Sequence, residues 1–185
     1  AYGPVAPNNI YYNPEIEEPF NPDKAREILA EEGWDSNRTL VMSVPTGNAT
    51  REQAAIIIQQ NLADVGIKTQ IQTADFATHL NKVRAGDYDF GFVGSSGSPD
   101  PSECVINFNP DHMNNFSQLS DYTIFETGDK GGHVFTFEER KEAYDEYQRL
   151  LREYVPFAFM YFENILYAHT SRVEGITDVQ DYTQH

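Results

Sequence analysis

Apolar residues recur along this chain at helical spacing in some stretches and alternate with polar ones in others, and the changes mark its elements. Asn21-Pro22-Asp23 opens the first helix: Asn21 caps the free amides, Pro22 suits the first helical position and Asp23 complements the positive helix end. Ala25, Ile28 and Leu29 share a face, Gly33 supplies a left-handed stop and Trp34 lies just beyond. Leu40 to Val44 reads as a strand, ended by Pro45-Thr46-Gly47-Asn48. Thr50 and Gln53 form a capping-box pair for a second helix, whose stripe is Ala54, Ile57, Ile58, Leu62 and Val65. From Ile67 to Thr73 every second residue is Lys or Gln, so one face is wet, as on an edge strand. Asp75 caps a third helix to about Ala85, with Phe76, Leu80 and Val83 inward and Gly86 as its stop. Tyr88 to Val93 then reads as a short buried strand, and Gly94-Ser95-Ser96-Gly97-Ser98-Pro99-Asp100-Pro101 cannot continue it.

Strand–helix–strand–helix–strand predicts a parallel α/β sheet. With the second strand at the edge, right-handed crossovers favour the spatial order second, first, third. The loops Thr46–Asn48 and Gly94–Asp100 then leave neighbouring strands at a point where the winding reverses, the usual place for a ligand crevice. Residues 102–135 are less regular, with Ile106, Phe108, Met113 and Phe116 scattered, a short helical turn at Tyr122–Phe125, and a mobile surface loop at Gly128, Gly131 and Gly132. Thr136 and Glu139 form a second capping box, which opens the longest helix. Its spaced apolar residues are Ala143, Tyr144, Tyr147, Leu150, Leu151 and Tyr154, and Pro156 ends it. Phe157–Phe162 and Ile165–Ala168 read as strands. The expected architecture is α/β: a three-layer lobe over 21–176 with a mixed, mainly parallel sheet, ordered 2-1-3 and then the C-terminal strands. Residues 1–20, with Pro4, Pro7, Pro14 and Pro19, form an extended surface lead-in, and 177–185 a second connection leaving the domain.

Charge narrows the partners. The 185 residues carry 29 acidic against 13 basic side chains, a formal net charge of -16. That argues against nucleic acid or an anionic membrane surface, both of which need a basic face. Cys104 is the single cysteine, so no internal disulfide or thiolate cluster is expected. No apolar run approaches the roughly 20 residues that span a bilayer. No leader precedes Ala1, and both ends are irregular and polar, as in a piece of a longer protein.

None of the five histidines (79, 112, 133, 169 and 185) stands in a zinc-helix spacing. Gly94-Ser95-Ser96-Gly97 is not a nucleophile elbow, and the loop has no phosphate-cradle lysine, so no cofactor or metal is expected. Three function classes remain. A binding lobe would use Gly94, Ser95, Ser96, Gly97, Ser98 and Asp100, joined by Thr46, Asn48, Asn114 and Asn115. A self-contained α/β hydrolase-type enzyme would use Asp89, Asp100 and His112. A non-catalytic interaction domain would have a stable protein partner and no solute.

Five stretches in order resemble the extracytoplasmic solute-binding proteins of the peptide/nickel type that serve ABC importers. Phe20 to Trp34 (FNPDKAREILAEEGW) is similar to that family's "(Y/F)-(N/D)-P-x-K-A-(K/R)-x-L-L-x-x-A-G-(W/Y)" helix. Gln59 to Ile67 is similar to its "I-Q-x-x-L-x-x-(I/V)-G-I" segment, followed by Gly86-Asp87-Tyr88-Asp89-Phe90, by Asp100-Pro101, and by Glu139 to Gly175. The resemblance covers about Pro19 to Ile176 and matches the second large lobe. It implies a periplasmic-binding-protein-like clamshell that closes on its solute by hinge motion. Its partners would be a missing second lobe and a membrane permease, in the periplasm or on a cell-surface lipoprotein. Many peptide-binding members carry Trp and an ammonium-pairing Asp in the loop after the third strand. Here Gly94 and Gly97 take those positions, which opens the ligand to a sugar, a metal chelate or another small polar solute as well as a peptide.

Overall fold

Leu40, Met42 and Val44 alternate with less apolar neighbours, and this short run is the centre of the sheet. The computed structural model describes residues 1–94, 100–163 and 168–173. They fall into two units, one of Pro19–Gly94 and one of Ala1–Glu18 with the chain from Ser95 onward.

In the first unit β1 (Thr39–Pro45) lies between β2 (Lys68–Ala74) and β3 (Phe90–Gly91), all parallel. The order is the expected second, first, third. β1 pairs with β2 from Thr39↔Lys68 to Pro45↔Ala74, but with β3 only at Met42↔Phe90 and Ser43↔Gly91. The third strand is therefore two residues long, not the six expected, and Phe90 is exposed. The ladder is bounded at both ends. Asp89 Oδ2 takes the Val41 N–H at 2.8 Å, and the next β1 donor beyond the Phe92 N–H···O Ser43 bond (3.2 Å) would be Pro45, which has no N–H.

The helices of this unit are α1 (Pro22–Glu31), α2 (Ala49–Asp64) and α3 (Phe76–Arg84). Asn21 and Asp75 cap α1 and α3 as expected, accepting from Lys24 N and Thr78 N. The cap of α2 is Asn48, which accepts from Arg51 N at 3.0 Å, and not the expected Thr50–Gln53 pair. Gly47 turns the chain at φ 90°, so Asn48 is the first extended residue after the turn and meets the orphan amides first. Ala55, Ile58 and Leu62 are the inward face of α2, packed with Met42, Val44, Ile71 and Phe92, while Ile57 points outward at 61% exposure. On α3 the inward pair is His79 and Val83, and Phe76 is exposed. α1 buries no residue, and its Ile28 is 47% exposed.

The second unit is helical. α4 (Ser102–Val105) runs into a 3-10 turn at Ile106–Phe108, followed by α5 (Thr123–His133) and α6 (Phe137–Tyr154). Thr136 and Glu139 make the expected capping box. Val105, Phe108, Ile124, Tyr144, Tyr147, Leu150 and Leu151 form one core. Gly128, Gly131 and Gly132 do not form a loop; they lie inside α5. A Cβ on Gly128 would stand 2.9 Å from Tyr147 Cδ2, and one on Gly131 2.5 Å from Tyr144 Cε1, so absent side chains let α5 approach α6.

Phe157–Phe162 carries no strand; Phe157 instead packs edge-on against Phe108 at 5.3 Å and Phe159 at 6.1 Å. The expected strand from Ile165 to Tyr167 and the tail 177–185 lie outside the described residues, and Ala168 carries no strand. Residues 1–18 are not a surface lead-in. Val5, Asn13 and Ile16 are buried, Gln148 Nε2 donates to Tyr11 O at 2.9 Å, and Asn13 N donates to Gln148 Oε1 at 3.2 Å. Apolar spacing alone gave no sign of this, because the partner of the buried Asn13 sits 135 positions away.

Candidate ligand site

Parallel neighbours put the ends of β1 and β3 at the same sheet edge, so the Thr46–Asn48 loop and Gly94 follow adjacent strands. Thr46 is exposed; its N–H closes the β1–β2 ladder on Ala74 O at 2.8 Å, which leaves its hydroxyl available. Asn48 is committed through Oδ1 to the α2 cap and retains its amide N–H groups. Gly94 lies directly against the Arg51 guanidinium, with no room for a Cβ between them. The first turn of α2 therefore borders the start of the loop after β3. Ser95, Ser96, Gly97 and Ser98 lie outside the described residues.

The other expected contacts belong to the second unit. Asp100 is tied into a polar cluster: Arg140 Nη2 donates to its two carboxylate oxygens at 2.8 and 2.7 Å, and Ser102 N donates to Oδ1 at 3.0 Å. Burial pushes the Asp100 carboxyl up, but the Ser102 amide and the Arg140 guanidinium outweigh it and hold it below its ordinary value. Arg140 also lies over the Tyr11 ring at 5.4 Å and the Tyr144 ring at 5.6 Å. Asp100 thus anchors the beginning of α4 to α6. Asn115 is spent inside its own loop, donating to Pro110 O and Leu119 O and accepting from Leu119 N. Asn114 donates its backbone N–H to His112 Nδ1 at 3.2 Å.

The acid/base trio has structural work in each case. Asp89 accepts from Val41 N and from Arg38 Nη2 at 3.0 Å, Asp100 is held by Arg140, and His112 Nδ1 accepts from Asn114 N. Among the described residues no three His, Cys, Asp or Glu side chains group as a metal site. No described helix is long and apolar enough to cross a membrane. A described depression of about 390 Å³ is lined by Glu15, Ile16, Glu17, Glu18, Arg149, Arg152 and Glu153. Its guanidiniums are already paired, Arg149 with Glu146 and Glu153 and Arg152 with Glu18.

Sequence reasoning missed His79. It is 1% exposed, with Nδ1 2.9 Å from Ser43 Oγ and Nε2 2.6 Å from Phe92 O. Its i, i+4 spacing to Val83 was the available signal, since that spacing puts both on the inward face of α3.

Residues 1–115 match the family described as bacterial extracellular solute-binding proteins, family 5 Middle. The di/tripeptide-binding protein 3 of Pseudomonas aeruginosa is 28% identical over 166 residues, covering 84% of this chain and 31% of that protein. The oligopeptide-binding protein AppA of Bacillus subtilis is 25% identical over 195 residues, covering 95% of this chain and 36% of that protein. The crystal structure of the ABC transporter substrate binding protein CtaP from Listeria monocytogenes superposes with a TM-score of 0.74 at 20% identity, over 83% of this chain and 32% of that one. The chain therefore spans about a third of the length of these relatives, and the hydrolase reading finds no support. A family match over more than half its residues, with periplasmic-binding-protein-like structural neighbours, makes this chain a member of the bacterial extracellular solute-binding proteins, family 5.

Proposed function

We propose that this chain is part of an extracytoplasmic binding protein that captures a peptide and delivers it to the permease of an ABC importer. The observation that carries the reading is the 2-1-3 parallel order in a chain of this family. It sets the loops after β1 and β3 side by side at a sheet edge, the place where α/β sheets hold ligands. The peptide-binding relatives from Pseudomonas aeruginosa and Bacillus subtilis make a peptide the first choice of solute.

The contacts are Thr46 and the chain leaving β3, Gly94, Ser95, Ser96, Gly97 and Ser98. Asp100, Asn48 and Asn115 are spent on holding α4, the α2 cap and the 110–119 loop in place. The hydroxyls and glycine amides of that set suit a polar ligand bound by neutral hydrogen bonds. The chain acts as part of one lobe, and a second lobe covers the ligand. Capture by closure means that the chain alone buries little of its ligand and binds it weakly.

Native mass spectrometry of the full-length protein, isolated from its host, tests the reading, with calorimetry using trialanine as the defined probe. A bound peptide and binding of trialanine are expected. A bound sugar or chelate with no response to peptides sinks the peptide assignment, and tight binding of trialanine by the 185-residue chain alone sinks the two-lobe account.

A further inference from the structure

Phe92 is the last residue of β3's path to hydrogen-bond to β1, through its N–H to Ser43 O. In a parallel ladder the carbonyl of such a residue receives the N–H of the β1 residue two positions beyond its acceptor. That residue is Pro45, which has no N–H. Thr46, the next along, points to the other side and closes the ladder to β2 on Ala74 O. The Phe92 carbonyl is thus left without a backbone donor two residues before Gly94.

His79 fills the gap. Its Nε2 lies 2.6 Å from Phe92 O, and a carbonyl only accepts, so Nε2 carries the hydrogen. Nδ1 is then the acceptor in the neutral ring and receives the Ser43 hydroxyl at 2.9 Å, on the same β1 residue that pairs with Gly91. One turn further along α3, Val83 Cγ2 would stand 3.2 Å from a Cβ on Gly91, so α3 grips the two-residue strand with two successive inward residues.

We propose that His79 is a positioning residue for the ligand loop: it supplies the donor that Pro45 withholds and so fixes the direction in which the chain leaves β3 toward Gly94. The consequence for binding rests on the reading of Thr46–Asn48 and Gly94–Ser98 as ligand loops. The anchoring itself does not.

The test uses the full-length protein labelled with 15N at His, Phe and Thr, as wild type, His79→Phe, Pro45→Ala and the double variant. Ring nitrogen shifts report the tautomer, amide exchange at Phe92 and Thr46 reports the two sides of β1, and calorimetry with trialanine reports binding. The expected wild-type ring is protonated at Nε2 and bare at Nδ1. His79→Phe should speed exchange at Phe92 roughly tenfold or more and leave Thr46 unchanged, as expected for an orphaned carbonyl loosening one rung. Pro45→Ala in the His79→Phe background returns an N–H to the vacant rung, so exchange at Phe92 should fall back toward the wild-type rate. A ring protonated at Nδ1, equal acceleration at Phe92 and Thr46, or a double variant no slower than His79→Phe overturns the anchoring role. Trialanine affinity should fall and recover in the same order, and an affinity that stays constant while Phe92 exchange moves overturns the link to binding. Wild-type protein that ignores trialanine counts against the peptide reading alone, and the ring and exchange results still decide the anchoring.

Discussion

Two adjacent glycines of α5 should respond in opposite directions to the same substitution. A Cβ on Gly131 meets the Tyr144 ring at 2.5 Å (Cε1), 2.7 Å (Cζ) and 2.9 Å (Cδ1). Carbon pairs pack best at about 3.5–4.0 Å, so the ring would have to retreat by about 1 Å. It has little freedom to do so. Tyr144 is fully buried, Tyr11 packs edge-on against it at 5.2 Å, and its hydroxyl takes a hydrogen bond from Arg140 Nη2 at 3.3 Å. Overpacking of this kind costs about 1–3 kcal/mol, against a gain of about 1 kcal/mol for replacing Gly by Ala in a helix. Gly131→Ala should therefore be destabilising on balance, by up to about 2 kcal/mol. Gly132 is exposed, and a Cβ there meets only Ser102 Cβ at 3.6 Å, an ordinary contact. Gly132→Ala keeps the propensity gain and should be stabilising by about 0.5–1 kcal/mol. In a domain of this size each kcal/mol moves Tm by about 2–4 °C. Thermal unfolding followed by far-UV circular dichroism is the suitable assay, because the single tryptophan, Trp34, belongs to the other unit. A Gly131→Ala variant that melts at or above the wild type, or two variants that shift together, would refute the close α5–α6 approach.

Three further outcomes are expected. The Asp100 carboxyl lies below its ordinary value in the folded chain, so its contribution is complete above the unfolded value of about 3.9 and is lost as pH falls through the lower folded value; Asp100→Asn should flatten the acid limb of a stability–pH curve, and an unchanged limb argues against the Arg140 pairing. Asn48→Ala should cost about 1 kcal/mol of stability through the lost α2 cap, whereas Asn48→Asp should keep it, since aspartate caps equally well; urea titration of both separates the cap from any ligand role. Asp89→Ala leaves the Val41 N–H without its partner and should cost about 1–2 kcal/mol, with faster exchange at the Val41 amide than at Leu40 as the check.

Local chemistry was readable where a short stretch settles it. Asn21, Asp75 and the Thr136–Glu139 pair cap the helices as their spacing indicates, because a cap needs only the next three residues. The wet alternation of Lys68 to Ala74 marks an edge strand for the same reason, and the strand order then follows from handedness. The same reading fails for α5, where Gly128, Gly131 and Gly132 suggest a mobile surface loop. Their conformational freedom is a property of the residue, whereas the rings of Tyr144 and Tyr147 that require Gly128 and Gly131 are set by packing.

The sequence by itself determined α1, α2, α3 and α6, the caps of α1, α3 and α6, the parallel order of the three strands and, through its motifs, the family. Only the tertiary structure decided what Asp89, Asp100, Asn115 and His79 do. Each meets partners from distant parts of the chain or from its own folded loop: Asp89 the Val41 amide, Asp100 the Arg140 guanidinium, His79 the carbonyl that Pro45 leaves unpaired. A side chain's capacity to accept or donate is fixed by its covalent structure, but the group that uses that capacity is fixed by which backbone atoms folding leaves without a partner.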